Sequence, residues 1–342
     1  MNTKSVTILL TSLTIFSFNS NAEVNVTTDG GLRVSSDEYS FRLGGRIMYD
    51  YNRSELNGVV DEDALDLRRG RIFVSGDVAE DWSFKAQYEF SDNSVKDMYI
   101  RYSGWGPAAV LTVGHQKLPF GLEELESSKD ISILERTGIS ELLADRRMDS
   151  VNLSGEFGNQ TYSVSAYSSD KVNSKDEDIG YAARYTAAPV ISDTGVLHLG
   201  IAYRDVSDTD VLGLEMGGVL GPFHAQAEYM DGNFGDMSAD GYYVMIGYVL
   251  TGEVRPYSGG VFERVTPDSP GGAWELAARY ENGYGNHGDI ELGSFTDAHA
   301  YAIGVNWYPH KNIRVGASYS EGESNINNDQ GNEFRVRIQL TY

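Results

Sequence analysis

The chain has 342 residues, 50 acidic against 27 basic side chains, a formal charge of −23 and no cysteine. That balance excludes nucleic-acid binding through bulk charge, and the missing thiols exclude disulfide frameworks, thiolate metal sites and cysteine nucleophiles. Glycine (38) and tyrosine (22) are abundant while hydrophobic content is only 41%, an odd mixture for a soluble enzyme.

At the start, Lys4 precedes an apolar stretch from Val6 to Phe18, and Asn19-Ser20-Asn21-Ala22 places small residues before Glu23. Residues 1–22 therefore read as a cleaved secretory signal peptide. The apolar run is shorter than the roughly 20 residues of a membrane anchor. Residues 23–40 read as a periplasmic lead-in, and from residue 41 the chain alternates apolar and polar positions with period two, the strand signature. Phe41 to Tyr51 carries apolar residues or glycine at odd positions, and Trp82 to Phe90 carries apolar residues at even ones. The pattern recurs in Trp274 to Tyr280, Tyr301 to Trp307 and Ile313 to Tyr319, and it closes the chain from Phe334 to Tyr342.

The occupants of the polar face separate a soluble sandwich from a membrane barrel. Here they include Arg42, Arg46, Lys85, Arg101, Arg184, Arg204, Arg279, Arg314, Arg335 and Arg337, while aromatics such as Tyr49, Trp82, Phe90, Tyr280, Trp307 and Tyr342 mark the ends of the apolar face. Aromatic girdles over an apolar outer band predict an all-β, transmembrane antiparallel β-barrel, closed because lipid tolerates no sheet edge. Short connections at Gly76–Asp81, Gly158–Asn159, Gly221–Pro222 and Pro309–Asn312 alternate with long acidic ones at Asn52–Ala64, Asp170–Asp178, Asp231–Asp240, Asn282–Asp297 and Glu321–Asn332. Taking 252–272 as one long periplasmic turn gives about sixteen strands in residues 41–342.

Residues 116–149 break the alternation. The segment contains Pro119, Gly121 and Gly138, has helical character around Leu134–Leu143, and mixes Lys117, Lys129 and Arg136 with many carboxylates. A loop of that length needs a role. Folded inward as the long third loop, it would act as a constriction whose opposed charges set up a transverse field.

Several strings then resemble one family, the phosphate-selective porin O and P channels of bacterial outer membranes. They include Phe41-Arg42-Leu43-Gly44-Gly45-Arg46, Leu67-Arg68-Arg69-Gly70-Arg71, Pro119-Phe120-Gly121-Leu122-Glu123, Ser127-Ser128-Lys129, Ala225-Gln226-Ala227-Glu228-Tyr229 and Gly304-Val305-Asn306-Trp307-Tyr308, in family order across the mature chain. The resemblance implies a sixteen-stranded homotrimer with an inward third loop. It implies that Lys129 matches the family's loop lysine and that Arg68 and Arg69 match part of an arginine ladder. The family's long arginine-bearing fifth loop has no counterpart, because Asp205–Asp210 is short and holds no arginine. The resemblance thus implies the channel, and not strong phosphate selectivity.

The expected function is passive diffusion of small hydrophilic solutes across the bacterial outer membrane, with a weak preference for anions that extends to phosphate or polyphosphate. Arg68, Arg69, Arg71, Lys85, Arg101, Lys117, Lys129 and Arg136 are the expected pore-lining, anion-binding residues, with outer-membrane lipid around the barrel and no metal, cofactor or nucleic acid. The competing readings are a non-selective diffusion porin and a structural or adhesive barrel whose acidic runs Asp61-Glu62-Asp63 and Asp176-Glu177-Asp178 bridge divalent cations. A third is a barrel enzyme built on one of six histidines, His287 and His299 first.

Overall fold

The computed structural model describes residues 24–342 apart from 29, 37, 38, 145, 170–177, 287–296, 325 and 327. The expected signal peptide, most of the acidic connection at Asp170–Asp178, most of that at Asn282–Asp297 and His287 lie outside the described residues. The first half of the barrel wall comprises β1 (Ser40–Leu56), β2 (Val59–Ala79), β3 (Trp82–Glu89), β4 (Ser94–Tyr102), β5 (Val110–Lys117), β6 (Arg147–Phe157), β7 (Gln160–Ser169) and β8 (Asp178–Ser192). The second half comprises β9 (Gly195–Val206), β10 (Thr209–Leu220), β11 (Phe223–Phe234), β12 (Met237–Val249), β13 (Ala273–Asn286), β14 (Ala298–His310), β15 (Ile313–Ser324) and β16 (Gln330–Thr341).

Each strand pairs antiparallel with the next, and β16 pairs with β1 from Thr341↔Arg46 to Gly331↔Leu56, closing a sixteen-stranded barrel. At the seam the backbones of Gly45 and Tyr342 exchange two hydrogen bonds, of 2.8 and 3.1 Å. A Cβ at Gly45 would lie 2.7 Å from the Tyr342 hydroxyl, so only glycine lets that ring close against the strand. Below the seam, Leu32–Ser35 pairs with the first residues of β1, so the lead-in extends the sheet.

The period-two pattern maps onto two chemically different faces. Tyr49, Met216, Ile303 and Ile338 point outward and are half-exposed or more, an apolar band suited to lipid rather than to water. Met48, Asp50 and Asn52, which alternate with Tyr49 and Tyr51 on β1, are buried on the inner face.

Two expected loops are instead strand. Asn52–Ala64 forms the ends of β1 and β2 around a two-residue turn, with positive φ at Asn57 (53°) and Gly58 (76°). That pair of left-handed residues makes the tight turn whose twist matches the strands, and Asn-Gly is its commonest sequence. Asp231–Asp240 likewise lies in β11 and β12 around Gly235 (φ 65°). The acids there sit on strand ends: Asp63 accepts from Arg53 and Tyr51, and Glu62 from Asn52. At 21 residues β2 exceeds the ~9–11 needed to cross a bilayer, so its acidic end projects into water.

Candidate functional site

Between β5 and β6 the chain forms two short helices, α1 (Leu122–Leu125) and α2 (Gly138–Leu143). Gly121, at φ 77°, turns the chain into α1, and the Leu122 and Glu123 amides donate to the Glu228 carboxylate at 2.5 and 2.8 Å. Thr137 caps α2 by accepting from the Ser140 amide at 3.2 Å, and its hydroxyl donates to Ser140 Oγ or Glu123, each at 2.7 Å. Short side chains on the inner face of the second-half strands leave room for this segment. Phe120, Leu143 and Ala144 pack on Ala202, Val211, Met230 and Ala239, and Ile133 and Ile139 pack on Tyr243, Met245, Ala277 and Ala302.

Arginines of the same arc then hold the segment's carbonyls. Arg204 donates to Leu143 O at 3.1 Å, Arg279 to Glu135 O at 2.8 Å, Arg314 to Ile131 O at 2.8 Å and Arg337 to Leu134 O at 2.8 Å. The connection between β12 and β13 joins them from below. Its hairpin, Tyr257–Ser258 with Val261–Phe262, forms no part of the wall; Phe262 packs on Leu122, and Arg255 reaches Glu126 at 3.4 Å. The long turn expected at 252–272 is therefore engaged with the loop above it.

These contacts divide the inner-face arginines into two populations. Arg204, Arg279, Arg314, Arg335 and Arg337 are buried and committed to carbonyls and carboxylates. Cations of β1–β6 instead line a cavity, some of them paired and some not. A cavity of about 410 Å³ between the loop and these strands is lined, among the described residues, by eleven lysines and arginines and three carboxylates, Asp92, Asp97 and Glu124. Some of its cations are matched: Arg71 to Glu89 at 2.5 Å, Lys85 and Arg147 to Asp97 at 2.5 and 2.7 Å, and Arg136 to Glu124 at 3.1 Å. Arg46 donates to the neutral hydroxyls of Ser127 and Ser128, at 3.2 and 3.0 Å. Arg69 has a buried Nε without a hydrogen-bond partner, and Arg101 lies over the Tyr99 ring at 5.3 Å.

Below this cavity a second one, of about 670 Å³, shares Arg46, Lys85, Gln87, Tyr99, Arg101, Leu125 and Ser127 with it, so the two form one column alongside the loop. Arg68, Arg69, Arg71, Lys85, Arg101, Lys117 and Arg136 all line the upper cavity, whereas Lys129 lines the lower one and pairs with Asp130 at 2.8 Å. Lys117 Nζ bonds the Leu125 and Glu126 carbonyls at 3.1 Å, and Arg68 forms a two-pronged bond with Glu135 at 3.0 and 2.8 Å.

The expected set omits Arg46, Lys96, Arg146 and Arg147. Arg46 already stood on the polar face of its strand; Lys96 and Arg147 needed the exact ends of β4 and β6, where the alternation is short. Two loop carboxyls show how the environment divides. Burial acts to raise the Glu135 carboxyl, but Arg337 and Arg68 outweigh it and hold the group well below the usual range. Glu126 is pushed up to about 7, by burial first, with Arg255 only partly opposing. Among the described residues no group of three or more histidines and carboxylates is arranged to hold a metal ion.

The sequence model of the phosphate-selective porin O and P family matches residues 41–205 and 202–342. Porin O of Pseudomonas aeruginosa is 30% identical over 94% of this chain and 93% of its own. An uncharacterized protein of Caulobacter vibrioides is 24% identical over 93% of this chain and 76% of its own. Among solved structures, an anion-selective porin from Comamonas acidovorans superposes with a TM-score of 0.60 at 14% identity, covering 89% of this chain and all of that one. The outer-membrane channel DcaP of Acinetobacter baumannii does so at 0.59 and 14%, covering 90% of this chain and 99% of its own. At these identities the structures establish the fold.

Proposed function

The chain belongs to the phosphate-selective porin O and P family, and we propose that its outer-membrane channel passes small hydrophilic solutes with a preference for anions, phosphate and polyphosphate among them. One observation carries the reading: among the described residues, the upper cavity of the column is lined by eleven cationic side chains against three carboxylates. An anion about 4 Å from an unmatched guanidinium gains roughly 1 kcal/mol in water and about 4 at the effective dielectric of a protein surface. A cation in the same place loses as much. Arg69 and Arg101 supply this field most directly, because neither forms an ion pair among the described residues. Salt screens the field of acidic side chains that lie more than about 8–10 Å from the column.

In this reading residues 116–149 are the constriction, and the segment under them, 252–272, keeps the second-half arc closed to solutes. Residues 1–22 act as the export signal. The P. aeruginosa and C. acidovorans relatives, named as porins, support a channel rather than an enzyme. Two of the histidines are held in structural contacts: His198 lies between Glu215 (3.1 Å) and Tyr257 (2.8 Å), and His224 bonds Glu275 (3.0 Å). A homotrimer follows from the same kinship. Reconstitution into planar bilayers tests the function: discrete conductance steps with an anion-signed zero-current potential support it, and a folded protein without conductance refutes it.

A further inference from the structure

Opening off the column is a side bay of about 520 Å³, within the ~300–1,000 Å³ common to small-ligand sites. Arg101 stands at the junction, lining the upper cavity, the lower cavity and the bay. Beyond it the chemistry changes. The bay wall on β6 and β7 carries Asn152, Ser154, Thr161 and Ser163, with the carboxylate of Glu156 beside them. Ser154 and Ser163 are cross-strand partners, and Ser163 donates to Asn152 Oδ1 at 2.7 Å, which leaves the Asn152 amide hydrogens as donors. Thr161 shares a hydrogen bond with Thr186 at 2.7 Å, whose single proton leaves acceptor capacity on both oxygens.

The bay's two other cations are already engaged, Arg184 with Glu215 at 2.8 and 2.6 Å and Lys117 with the Leu125 and Glu126 carbonyls at 3.1 Å, so the wall meets a bare inorganic anion with Glu156 and neutral hydroxyls, which match its charge poorly. A chain or ring of hydroxyl groups finds donors and acceptors there, and a carboxylate is a strong acceptor for a hydroxyl proton. We propose that the bay is a subsite for the polyhydroxylated part of an organic phosphate monoester, a sugar phosphate in chemical class, whose phosphate is held at Arg101 in the column. The proposal rests on the anion-preferring reading of the channel and adds a solute class to it.

The test uses the full-length protein in planar bilayers at about pH 8, where phosphate monoesters carry close to two charges. Chloride current is titrated with glucose 6-phosphate, inorganic phosphate and cyclohexyl phosphate, an ester of similar bulk without hydroxyls. Two or three hydrogen bonds in the bay should put half-block by glucose 6-phosphate at roughly tenfold lower concentration than for the other two. N152L with S163A should erase that difference while leaving the phosphate titration unchanged. T161V with S154A should do the same in part, should the first pair disturb the barrel. Equal half-block by glucose 6-phosphate and cyclohexyl phosphate in the native channel overturns the subsite while the anion preference stands. A zero-current potential without anion preference overturns both.

Discussion

Arg337 gives the sharpest test of the division between holding and conducting arginines. Its guanidinium and the Asp50 carboxylate are both fully buried and bonded at 2.6 Å, with further bonds to Glu135 at 2.5 Å and to Leu134 O at 2.8 Å. Arg337→Met keeps much of the packed stem and removes the charge. Breaking a buried pair by deleting one partner costs ~3–5 kcal/mol. Asp50 retains Arg335 at 2.8 Å and Glu135 retains Arg68 at 2.8 Å, so neither carboxylate is wholly abandoned and the lower figure, about 3 kcal/mol, applies. Urea unfolding of the barrel in lipid vesicles, followed by tryptophan fluorescence, measures it. Adding Asp50→Asn should recover part of the loss, because removing both partners costs less than stranding one. The sign of the zero-current potential should not change, since Arg337 faces the loop and not the column. A stability loss below about 1 kcal/mol, the figure for an exposed pair, would refute the reasoning. So would an inverted potential.

Arg69→Gln should leave stability unchanged or slightly raised, since it relieves a crowded, unmatched cation, and should cut anion preference in zero-current potentials; a fall in stability like that of Arg337→Met would contradict this. Lys129→Gln leaves Asp130 without its lysine at 2.8 Å and should shift the potential toward cations, an effect that disappears in the double variant with Asp130→Asn. Glu126 supplies a pH dependence: its carboxyl is raised from 4.5 to about 7, so the native state holds a proton the unfolded chain lacks between those values. Stability from this group is full below about 4.5 and is lost as pH rises through about 7. Glu126→Gln should therefore flatten the unfolding midpoint measured between about pH 5 and 8.

The wall of the barrel was legible because period-two alternation is local. Each strand reports its two faces without knowledge of its neighbours, and the strand count followed once 252–272 was kept out of the wall. Turn positions were less legible. The acids of Asp61-Glu62-Asp63 read as loop, although Asn57-Gly58 between them and β1 was the stronger signal; a strand that runs past the bilayer into water tolerates acids its membrane portion does not. The separation of the arginines was not legible at all. Arg46 and Arg337 sit on neighbouring strands with the same alternation, and their roles differ because the loop from residues 118–146 packs against one arc. Small residues such as Ala202, Ala239, Ala277 and Ala302 on that arc are the trace the packing leaves in the sequence, and they acquire meaning only when the barrel brings them together.

The central claim, an anion-preferring column in which cations of β1–β6 outnumber the carboxylates, is tested most directly by the zero-current potential of the reconstituted channel across a potassium chloride gradient at low ionic strength. The native channel should give a potential of the sign set by chloride, reduced in Arg69→Gln and in Arg101→Gln and retained in Arg337→Met. A native potential set by potassium, or one unmoved by both column substitutions, would contradict it.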